Sequence, residues 1–306
     1  MLMSTEIPEI SVVMPSYNCE LYIAEAIESV LNQTFENFEL IVVDNYSSDG
    51  TLEIIKRFTD ERIHIEQCSN DGVIAKSRNI GIKVARGQYV AFLDADDFWH
   101  SKKLEECFRL FQTQIDLVYH AEHWIDQNGG RKKVNYRSGK RCAYLQLLKT
   151  GNVLSTSSVV VRKSALDYVG GFCEKKNYVT AEDYDLWMRL ALNGYIFSYM
   201  TQPLGTYRIH SNNSIKQDEL HERAMISVLS DHFDNSESYK FNVITRRRRL
   251  SLLYAESGFT KAQKGQVRLS VLDFIKALRQ FPIGLRVLFL FFGSSYYYLR
   301  WDSRTL

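Results

Sequence analysis

The 306-residue sequence contains no low-complexity segment and no internal repeat, and 45% of its residues are hydrophobic. These features are typical of a globular chain that is long enough to bury a substantial core. Its five cysteines are scattered without a paired spacing, which favours a reducing cytosol over a disulfide framework. The first 18 residues hold neither a basic segment nor a long apolar core, so we expect no signal peptide.

Both glycine-rich phosphate-binding motifs, G-x-x-x-x-G-K-S/T and G-x-G-x-x-G, are absent from the sequence. P-loop and dinucleotide-binding sites are therefore not expected. If the protein binds a phosphorylated ligand, a cation has to neutralise the phosphates.

No apolar run is long enough to span a bilayer, which takes about 20 residues. The run "RVLFLFF" at 286–292 follows the basic stretch Arg246–Arg249 and precedes an aromatic cluster formed by Tyr296, Tyr297, Tyr298 and Trp301. This arrangement suits a helix on an anionic membrane surface, and the alternative is a C-terminal helix packed on the rest of the protein. Residues 240–306 carry 13 Lys and Arg against 3 Asp and Glu, whereas the remainder carries 25 against 33. Basic tails of this kind bind phosphates, either of lipids or of nucleic acids.

Four strand-like segments alternate with three segments of helical periodicity in the first 100 residues. The strand segments are "EISVVMPSYN", which we expect to end at Pro15, then "FELIVVDNYSSDGT", "RIHIEQC" and "YVAFLDADD". This order predicts an α/β fold with a mostly parallel sheet flanked by helices, in which ligands bind at the carboxyl ends of the strands. Because the pattern becomes mostly helical from about residue 216, we predict an α/β domain at 1–215 and a helical region at 216–306.

Asp94 and Asp96 follow the fourth predicted strand. Residues two apart on a strand point the same way, so these carboxylates can converge at its end. Hard divalent cations such as Mg²⁺ or Mn²⁺ prefer such oxygen ligands, and substrate phosphates can complete the shell. The alternative is a surface turn with a helix cap at Asp97.

Further polar residues follow the second strand and occur later in the chain. Asp44 can accept an N–H from a base or bind a ribose hydroxyl, whereas Asp49, Gly50 and Thr51 fit either ligand binding or a simple turn. Glu182 and Asp183 open a predicted helix, where they can act as helix caps or one of them as a general base. His210 is either structural or a ligand that completes a carboxylate site for Mn²⁺.

Five stretches in this order resemble the family 2 glycosyltransferases, which have the GT-A fold. They run from Ile10 to about Ser214, roughly two-thirds of the chain, and read "ISVVMPSYN", "LIVVDNYSSDGT", "NDGVIAKSRNIGIKVARGQYVAFLDADD", "AEDYDLWMRLA" and "YRIHSNNS". The resemblance implies an inverting, single-displacement transfer of a sugar from a nucleotide-diphosphate-sugar, with UDP-sugar as the donor, to a glycan or lipid-linked acceptor.

The resemblance also implies a role for each candidate residue. Pro15 and Tyr17 would line the nucleotide base, Asp44 would accept from it, Arg78 would lie near it, and Asp94 would contact the ribose. For the metal, Asp96 would bind the Mn²⁺ or Mg²⁺ ion that bridges the diphosphate, with His210 as a further ligand or phosphate contact. Asp183 would be the general base, and Glu182 would support the acceptor side. The family often has a second Asp where this chain has Asn45, which leaves guanosine and thymidine as alternatives to uridine.

Three other functions compete with this interpretation. A sugar nucleotidyltransferase would resemble a glycine-rich N-terminal loop with a basic residue, which "MPSYNCELY" lacks. An inactive nucleotide-sugar-binding or membrane scaffold protein would not need Asp94, Asp96, Glu182 and Asp183. Nucleic-acid binding through the Arg run is disfavoured by the acidic body of the chain and by the lack of nucleic-acid motifs. We therefore expect a cytoplasmic enzyme at the inner face of the membrane that serves surface-polysaccharide synthesis; the oligomeric state is not predicted.

Overall fold

The computed structural model describes residues 7–136, 144–210, 218–235, 243–281, 287 and 290–294. They fall into two compact units, Met1–Asn213 and Ser214–Leu306. The predicted aromatic cluster at 296–301 and three of the seven residues of the run at 286–292 lie outside the described residues.

The first unit begins with the alternation of strands and helices that the sequence predicts. Its elements are β1 (Ile10–Ser16), α1 (Ile23–Leu31), β2 (Phe38–Asp44), α2 (Thr51–Ile55), β3 (Ile63–Gln67), α3 (Ile74–Val84) and β4 (Tyr89–Phe92). Every residue of β1, β2 and β4 is buried, as expected for parallel strands covered on both faces. β3, β2, β1 and β4 are neighbours in this order, and each pair is parallel. The predicted α/β fold is confirmed.

Later segments extend the same sheet with mixed strand directions. They are β5 (Phe98–Trp99), α4 (Lys103–Leu110), β6 (Leu117–Asp126), β7 (Arg131–Val134), α5 (Tyr144–Thr150), β8 (Val160–Arg162), α6 (Lys163–Val169), α7 (Glu182–Leu192) and β9 (Phe197–Ile209). The full order is β3-β2-β1-β4-β8-β6-β9-β5, with β7 beside β6, so that the described residues form one nine-stranded sheet. β8 is antiparallel to β4 and β6, whereas β9 is parallel to β6.

Two strand ends differ from the sequence-based expectation. β1 continues through Pro15 to Ser16. The β1–β4 pairing extends only from Ile10 to Val13, so the missing N–H of Pro15 interrupts no bond to β4. β4 ends at Phe92, and Asp94 and Asp96 therefore lie in the turn after the strand instead of on it.

Close contact between α3 and β1 fixes the position of the residues that α3 carries. A Cβ atom on Gly81 would lie only 2.3 Å from Cγ1 of Val13. Only a glycine allows the helix to approach the strand this closely.

The second unit contains α8 (Asp218–Asn235), α9 (Val243–Gln263) and α10 (Val267–Gln280). A small apolar core is formed by Ala255, Phe274, Ala277 and Val287. The buried Lys261 ammonium pairs with Glu222 (3.0 Å) and with Asp273. Within the described residues, no helix has the length and apolar character needed to cross a membrane.

Candidate active site

The ends of β1 and β2 lie side by side, because Ser16 and Asp44 are paired residues of the two parallel strands. Asp44 is completely buried. Its carboxylate accepts hydrogen bonds from the Ser16 hydroxyl (3.1 Å) and from the backbone N–H of Ser47 (3.0 Å). Asp44 therefore holds the turn that follows β2, and its predicted contact with a nucleotide base stays a prediction.

Two tyrosines are exposed beside these strand ends. Tyr17, which follows β1, is 59% exposed, and Tyr46, which follows β2, is 60% exposed. Hydrogen bonds between Asn18 and the backbone and side chains of Ser47 and Ser48 tie the two loops together. Tyr46 was not predicted as a site residue, although its position two residues after Asp44 is a usable signal. Pro15, by contrast, is buried within β1.

Asn45 has a structural partner in the loop before α3. Its side-chain oxygen accepts the backbone N–H of Asn70 at 2.8 Å. An ionised Asp at this position could also accept this bond, so the Asn is not required by the loop alone. The structure gives no reason for the difference from the common family pattern.

Arg78 of α3 is buried and bridges two carboxylates. One terminal nitrogen, Nη2, donates to Asp94 at 2.8 Å, and the other, Nη1, donates to Glu182 at 2.7 Å. Burial alone would lower the pKa of Arg78, but the Asp94 and Glu182 carboxylates raise it above its usual value. The guanidinium thus supplies positive charge to the acidic turn, which carries Asp94, Asp96 and Asp97. The predicted place of Arg78 near the nucleotide base stays a prediction.

Asp96 pairs with His210, which follows β9. Asp96 Oδ2 and His210 Nε2 are 2.9 Å apart, and the imidazole stacks on Tyr22 with ring centroids 5.1 Å apart. Arg208 of the same strand donates to the Asp96 carbonyl at 2.7 Å and pairs with Glu25. The structure brings Asp96 and His210 together although they are 114 residues apart, and their predicted role as metal ligands stays a prediction.

The separation of the Asp96 and His210 donor atoms bears on whether the pair can hold a divalent cation. Two ligands at about 2.1 Å and at right angles on an octahedral ion have donor atoms about 3 Å apart, close to the 2.9 Å observed here. Within the described part of the chain, no group of three or more His, Cys, Asp or Glu is arranged to hold a metal. The pair therefore fits a cation whose remaining ligands come from a bound substrate and water.

Asp97 has a structural role that the sequence did not reveal. Its buried carboxylate accepts the Ser157 hydroxyl at 2.6 Å and the Arg208 backbone N–H at 3.0 Å. Burial and the adjacent Asp96 charge raise the pKa of Asp97 well above its usual range. The alternative of a helix cap at Asp97 is wrong, because the next helix, α4, begins at Lys103.

Glu182 and Asp183 are the first two residues of α7. Asp183 Oδ2 accepts hydrogen bonds from Asn152 at 2.9 Å and from Thr156 at 3.3 Å. Burial of the carboxyl group raises the pKa of Asp183 to about 7, with a smaller contribution in the same direction from the negative charge of Glu182. One oxygen of Glu182 binds Arg78, while the other, Oε2, is buried and has no hydrogen-bond partner among the described residues. A carboxyl group with its pKa raised in this way suits a general base near neutral pH, and the predicted role of Asp183 as that base stays a prediction.

A second buried polar cluster, which the sequence does not predict, lies beside the acidic turn. Lys103 is fully buried, with its ammonium 3.3 Å from the centroid of the Trp99 ring, and burial lowers its pKa to about 7. Glu122 of β6 accepts hydrogen bonds from Tyr136 and Ser155, and burial raises its pKa to about 7. Isolated Lys and Glu residues in an ordinary amphipathic pattern give no sequence signal for such burial.

A family model described as "Glycosyl transferase family 2" matches residues 11–170. The chain belongs to glycosyl transferase family 2. Its enzymatic class, a glycosyltransferase, follows from this membership and confirms the predicted resemblance.

Three curated relatives illustrate the family. An uncharacterized glycosyltransferase of Methanocaldococcus jannaschii is 31% identical, over 77% of this chain and 83% of its own length. The Escherichia coli UDP-Glc:alpha-D-GlcNAc-diphosphoundecaprenol beta-1,3-glucosyltransferase WfaP is 29% identical, over 67% and 78%. The putative teichuronic acid biosynthesis glycosyltransferase TuaG of Bacillus subtilis is 30% identical, over 69% and 83%.

Solved structures confirm the GT-A fold. Residues 1–349 of Staphylococcus aureus TarS in complex with UDP-GlcNAc give a TM-score of 0.66 at 20% identity, covering 92% of this chain and 83% of that one. The mannosyltransferase PcManGT of Pyrobaculum calidifontis, in complex with GDP-Man and Mn²⁺, gives 0.62 at 16% identity, covering 98% and 84%. At these identities, the likeness carries the fold and not the substrate.

Proposed function

We propose that this glycosyltransferase moves a sugar from a nucleoside diphosphate to an acceptor hydroxyl with inversion at the anomeric carbon. The observation that carries the proposal is the bridge made by Arg78. It joins Asp94, two residues from the Asp96–His210 pair, to Glu182, which is adjacent to Asp183. Candidate donor-binding groups and a candidate base are therefore held together at one edge of the sheet.

In the donor half, exposed Tyr17 and Tyr46 would contact the nucleoside beside Pro15, with Asp44 as a base contact and Asp94 as a ribose contact. We propose UDP as the nucleotide. The printed names of WfaP and of the TarS complex contain UDP-sugars, whereas the PcManGT complex contains GDP-Man. GDP and dTDP donors are therefore the alternatives that a binding experiment has to separate.

Charge supports a divalent cation in the same half. Asp94, Asp96, Glu182 and Asp183 are carboxylates of this site, and Arg78 is the guanidinium that pairs with two of them. Asp96 and His210 would hold Mn²⁺ or Mg²⁺. When bound, such an ion neutralises the diphosphate and stabilises it as a leaving group. The Mn²⁺ in the PcManGT complex agrees with this assignment.

In the acceptor half, Asp183 would take the proton of the acceptor hydroxyl. The hydroxyl oxygen forms a bond to the anomeric carbon, and the bond from that carbon to the diphosphate oxygen breaks. Its electron pair leaves with the nucleoside diphosphate. Because the attack comes from the face opposite the leaving group, the configuration inverts. Glu182 would face the acceptor side, because its buried Oε2 has no hydrogen-bond partner in the ranges that the structure describes.

For the cellular setting, we propose a lipid-linked or glycan acceptor of bacterial surface-polysaccharide synthesis, used at the inner face of the cytoplasmic membrane. The names of WfaP and TuaG support this class of acceptor. The solvent side of α10 also suits an anionic membrane surface. It exposes Val271, Leu272 and Ile275 beside Arg268 and Arg279, and Asp273, the acidic residue of this helix, is buried.

The proposal is tested by titrating the purified protein with UDP, GDP, dTDP and CMP, each with Mn²⁺, with Mg²⁺ and with chelator. We expect UDP to bind with the metal and binding to be lost with chelator and in Asp96→Ala. Asp183→Asn is the matched control, since it removes a carboxylate from the acceptor half and should leave UDP binding unchanged. If the folded wild-type protein binds none of these nucleotides, the donor half of the proposal is wrong.

A further inference from the structure

One short segment before β8 contacts both halves of the candidate active site. At its start, Asn152 donates to Asp183 at 2.9 Å, and four residues later Thr156 donates to the same oxygen at 3.3 Å. The next residue, Ser157, donates to Asp97 at 2.6 Å. Adjacent residues of one turn thus hold the candidate base and the acidic turn.

Ser157 is fixed through its side chain and its backbone. Its hydroxyl also accepts the backbone N–H of Asp94 at 3.1 Å. Its carbonyl accepts two buried donors, Lys103 Nζ at 2.8 Å and Trp99 Nε1 at 2.9 Å. The side chain of Ser157 therefore fixes the acidic turn at two points, while Lys103 and Trp99 fix Ser157 itself.

The turn that carries these groups is rigidly placed. Thr156–Ser158 form one turn of 3₁₀ helix in which all three residues are buried, and this turn packs against β4, β6 and β9. A buried turn between strands cannot shift towards one partner without disturbing the other, because protein interiors are close-packed. The separation between its two sets of contacts is thereby set by the sheet.

We propose that this segment, Asn152–Ser157, is a positioning element that sets the spacing between the donor-binding turn and the general base. Asn152 and Thr156 orient the Asp183 carboxylate towards the acceptor, and Ser157 holds the loop from Asp94 to Asp97 in the shape that binds the donor. The inference rests on the proposed function, since it assigns the acidic turn to the donor and Asp183 to the acceptor. It adds residues that touch neither substrate.

A positioning role predicts that neighbouring residues affect different halves of the site, whereas a purely structural role predicts equal effects on both. Ser157→Ala should weaken binding of UDP with Mn²⁺ about tenfold, because the loop from Asp94 to Asp97 loses both of its hydrogen bonds to the Ser157 side chain and has to be ordered when the donor binds. Asn152→Ala and Thr156→Val should leave this affinity unchanged. They should instead raise the pKa of Asp183, by about one unit for Asn152→Ala, because a donor that stabilises the carboxylate is lost.

The experiment measures both quantities in the full-length protein. UDP affinity with Mn²⁺ comes from calorimetric titration. The Asp183 titration is followed by NMR of protein labelled with ¹³C at the aspartate carboxyl carbons, and Asp183→Asn identifies the signal. Ser158→Ala is the matched control, because it removes an equally buried hydroxyl from the same turn, and Ser158 bonds only to the Ser155 carbonyl among the described contacts. Thr156→Ser should restore the wild-type titration.

The outcomes separate this inference from the proposed function. If wild-type protein binds UDP and Asp96→Ala does not, but Ser157→Ala behaves like Ser158→Ala, the positioning element is wrong while the donor site stands. It is also overturned if Asn152→Ala leaves the Asp183 titration in place. If Ser157→Ala does not fold, Ser157→Cys, which is close in size and bonds weakly, is compared in its place. Failure of the wild-type protein to bind any nucleotide refutes the proposed function instead.

Discussion

At the scale of single residues, the candidate active site is held together by pairs of oppositely charged side chains. Arg78 is buried against Asp94 and Glu182, and Asp96 is paired with His210. These contacts explain how an acidic turn is tolerated in a largely buried place. A buried carboxylate without a partner would cost several kcal/mol. Within the part of the chain that the structure describes, Asp183 forms no direct ion pair with a cation, and burial raises its pKa.

The first prediction concerns the pH dependence of catalysis. A general base must be ionised to accept a proton, so kcat/KM should rise with pH through about 7, the pKa of Asp183. Asp183→Asn should lower kcat by a factor of about 100 or more while UDP affinity is retained. Glu182→Gln should move the acidic limb to lower pH, because the Glu182 charge raises the pKa of Asp183. The profile is measured with the donor that binds. A limb that does not move in Glu182→Gln, or a fully active Asp183→Asn, would contradict the assignment.

A second prediction concerns the stability of the Arg78 bridge. Arg78→Met leaves Asp94 and Glu182 without their guanidinium partner, and it should lower the free energy of unfolding by about 3–5 kcal/mol. Arg78→Lys should lower the free energy of unfolding less, because the ammonium retains the positive charge. Some loss should remain, since an ammonium lacks the planar fork that donates to two carboxylates at once. Urea unfolding of the three proteins measures the difference. Equal stability of Arg78→Met and the wild-type protein would show that the bridge contributes no net stability.

At the scale of elements, the position of α3 against β1 determines where Arg78 lies. The helix carries Arg78 on the turn before Gly81, the residue that lets α3 approach Val13 closely. The positions of strand ends have a similar effect. β4 ends at Phe92, before Asp94, which leaves the carboxylates in a turn where Asp94 and Asp96 can take different partners.

Gly81→Ala tests this contact. An added methyl group would meet Val13 at 2.3 Å, and overpacking of this kind costs about 1–3 kcal/mol. This loss is expected even though Ala is a better helix former than Gly. The matched test is a double-mutant cycle with Val13→Ala, which makes room for the added methyl group. The stability losses of the two single variants should therefore sum to more than the loss in the double variant. Additive losses in urea unfolding would mean that the helix and strand are not in close contact.

At the scale of the whole molecule, the sequence-based charge asymmetry and the exposed side of α10 point to the same partner. Residues 240–306 have 13 Lys and Arg against 3 Asp and Glu. On α10, apolar and Arg side chains share the solvent side, and among the described residues no carboxylate pairs with Arg268 or Arg279. This combination favours binding to an anionic bilayer.

Sedimentation with lipid vesicles tests the membrane proposal. The protein should bind vesicles that contain phosphatidylglycerol and not vesicles of phosphatidylcholine alone, and binding should fall as salt is raised. Arg268→Glu with Arg279→Glu should weaken binding about tenfold or more, since each basic residue near such a surface contributes about 1 kcal/mol. Lys132→Glu with Lys133→Glu, on exposed positions of β7, changes the net charge equally and should have little effect. Equal losses of vesicle binding in both double variants would mean that net charge alone controls binding, and they would rule out α10 as the membrane-binding surface.

Much of the fold and part of the site could be predicted from the sequence. The alternation of apolar runs and amphipathic segments up to residue 100 identified the four parallel strands, since burial on both faces requires continuous apolar residues. Of the later strands, β5, β7 and β8 have only two to four residues, and the longer β6 and β9 contain polar residues that interrupt any continuous apolar run, so the sequence gives little local signal for them. Among the site residues, Asp96 and His210 were predicted together through the resemblance, whereas Ser157, Lys103 and Glu122 were missed because nothing in their local sequence distinguishes them. Tyr46 was missed although its position two residues after Asp44 is a usable signal.

The sequence alone determined the first four strands, that polar residues follow the ends of these strands, and the family to which the motifs belong. Only the tertiary structure decided that Arg78 meets Glu182 across 104 residues and that Ser157 meets Asp97 across 60. The physical reason is that side-chain periodicity depends on neighbours along the chain. Partners across the site depend instead on sheet order and close packing, which bring together residues that share no local pattern.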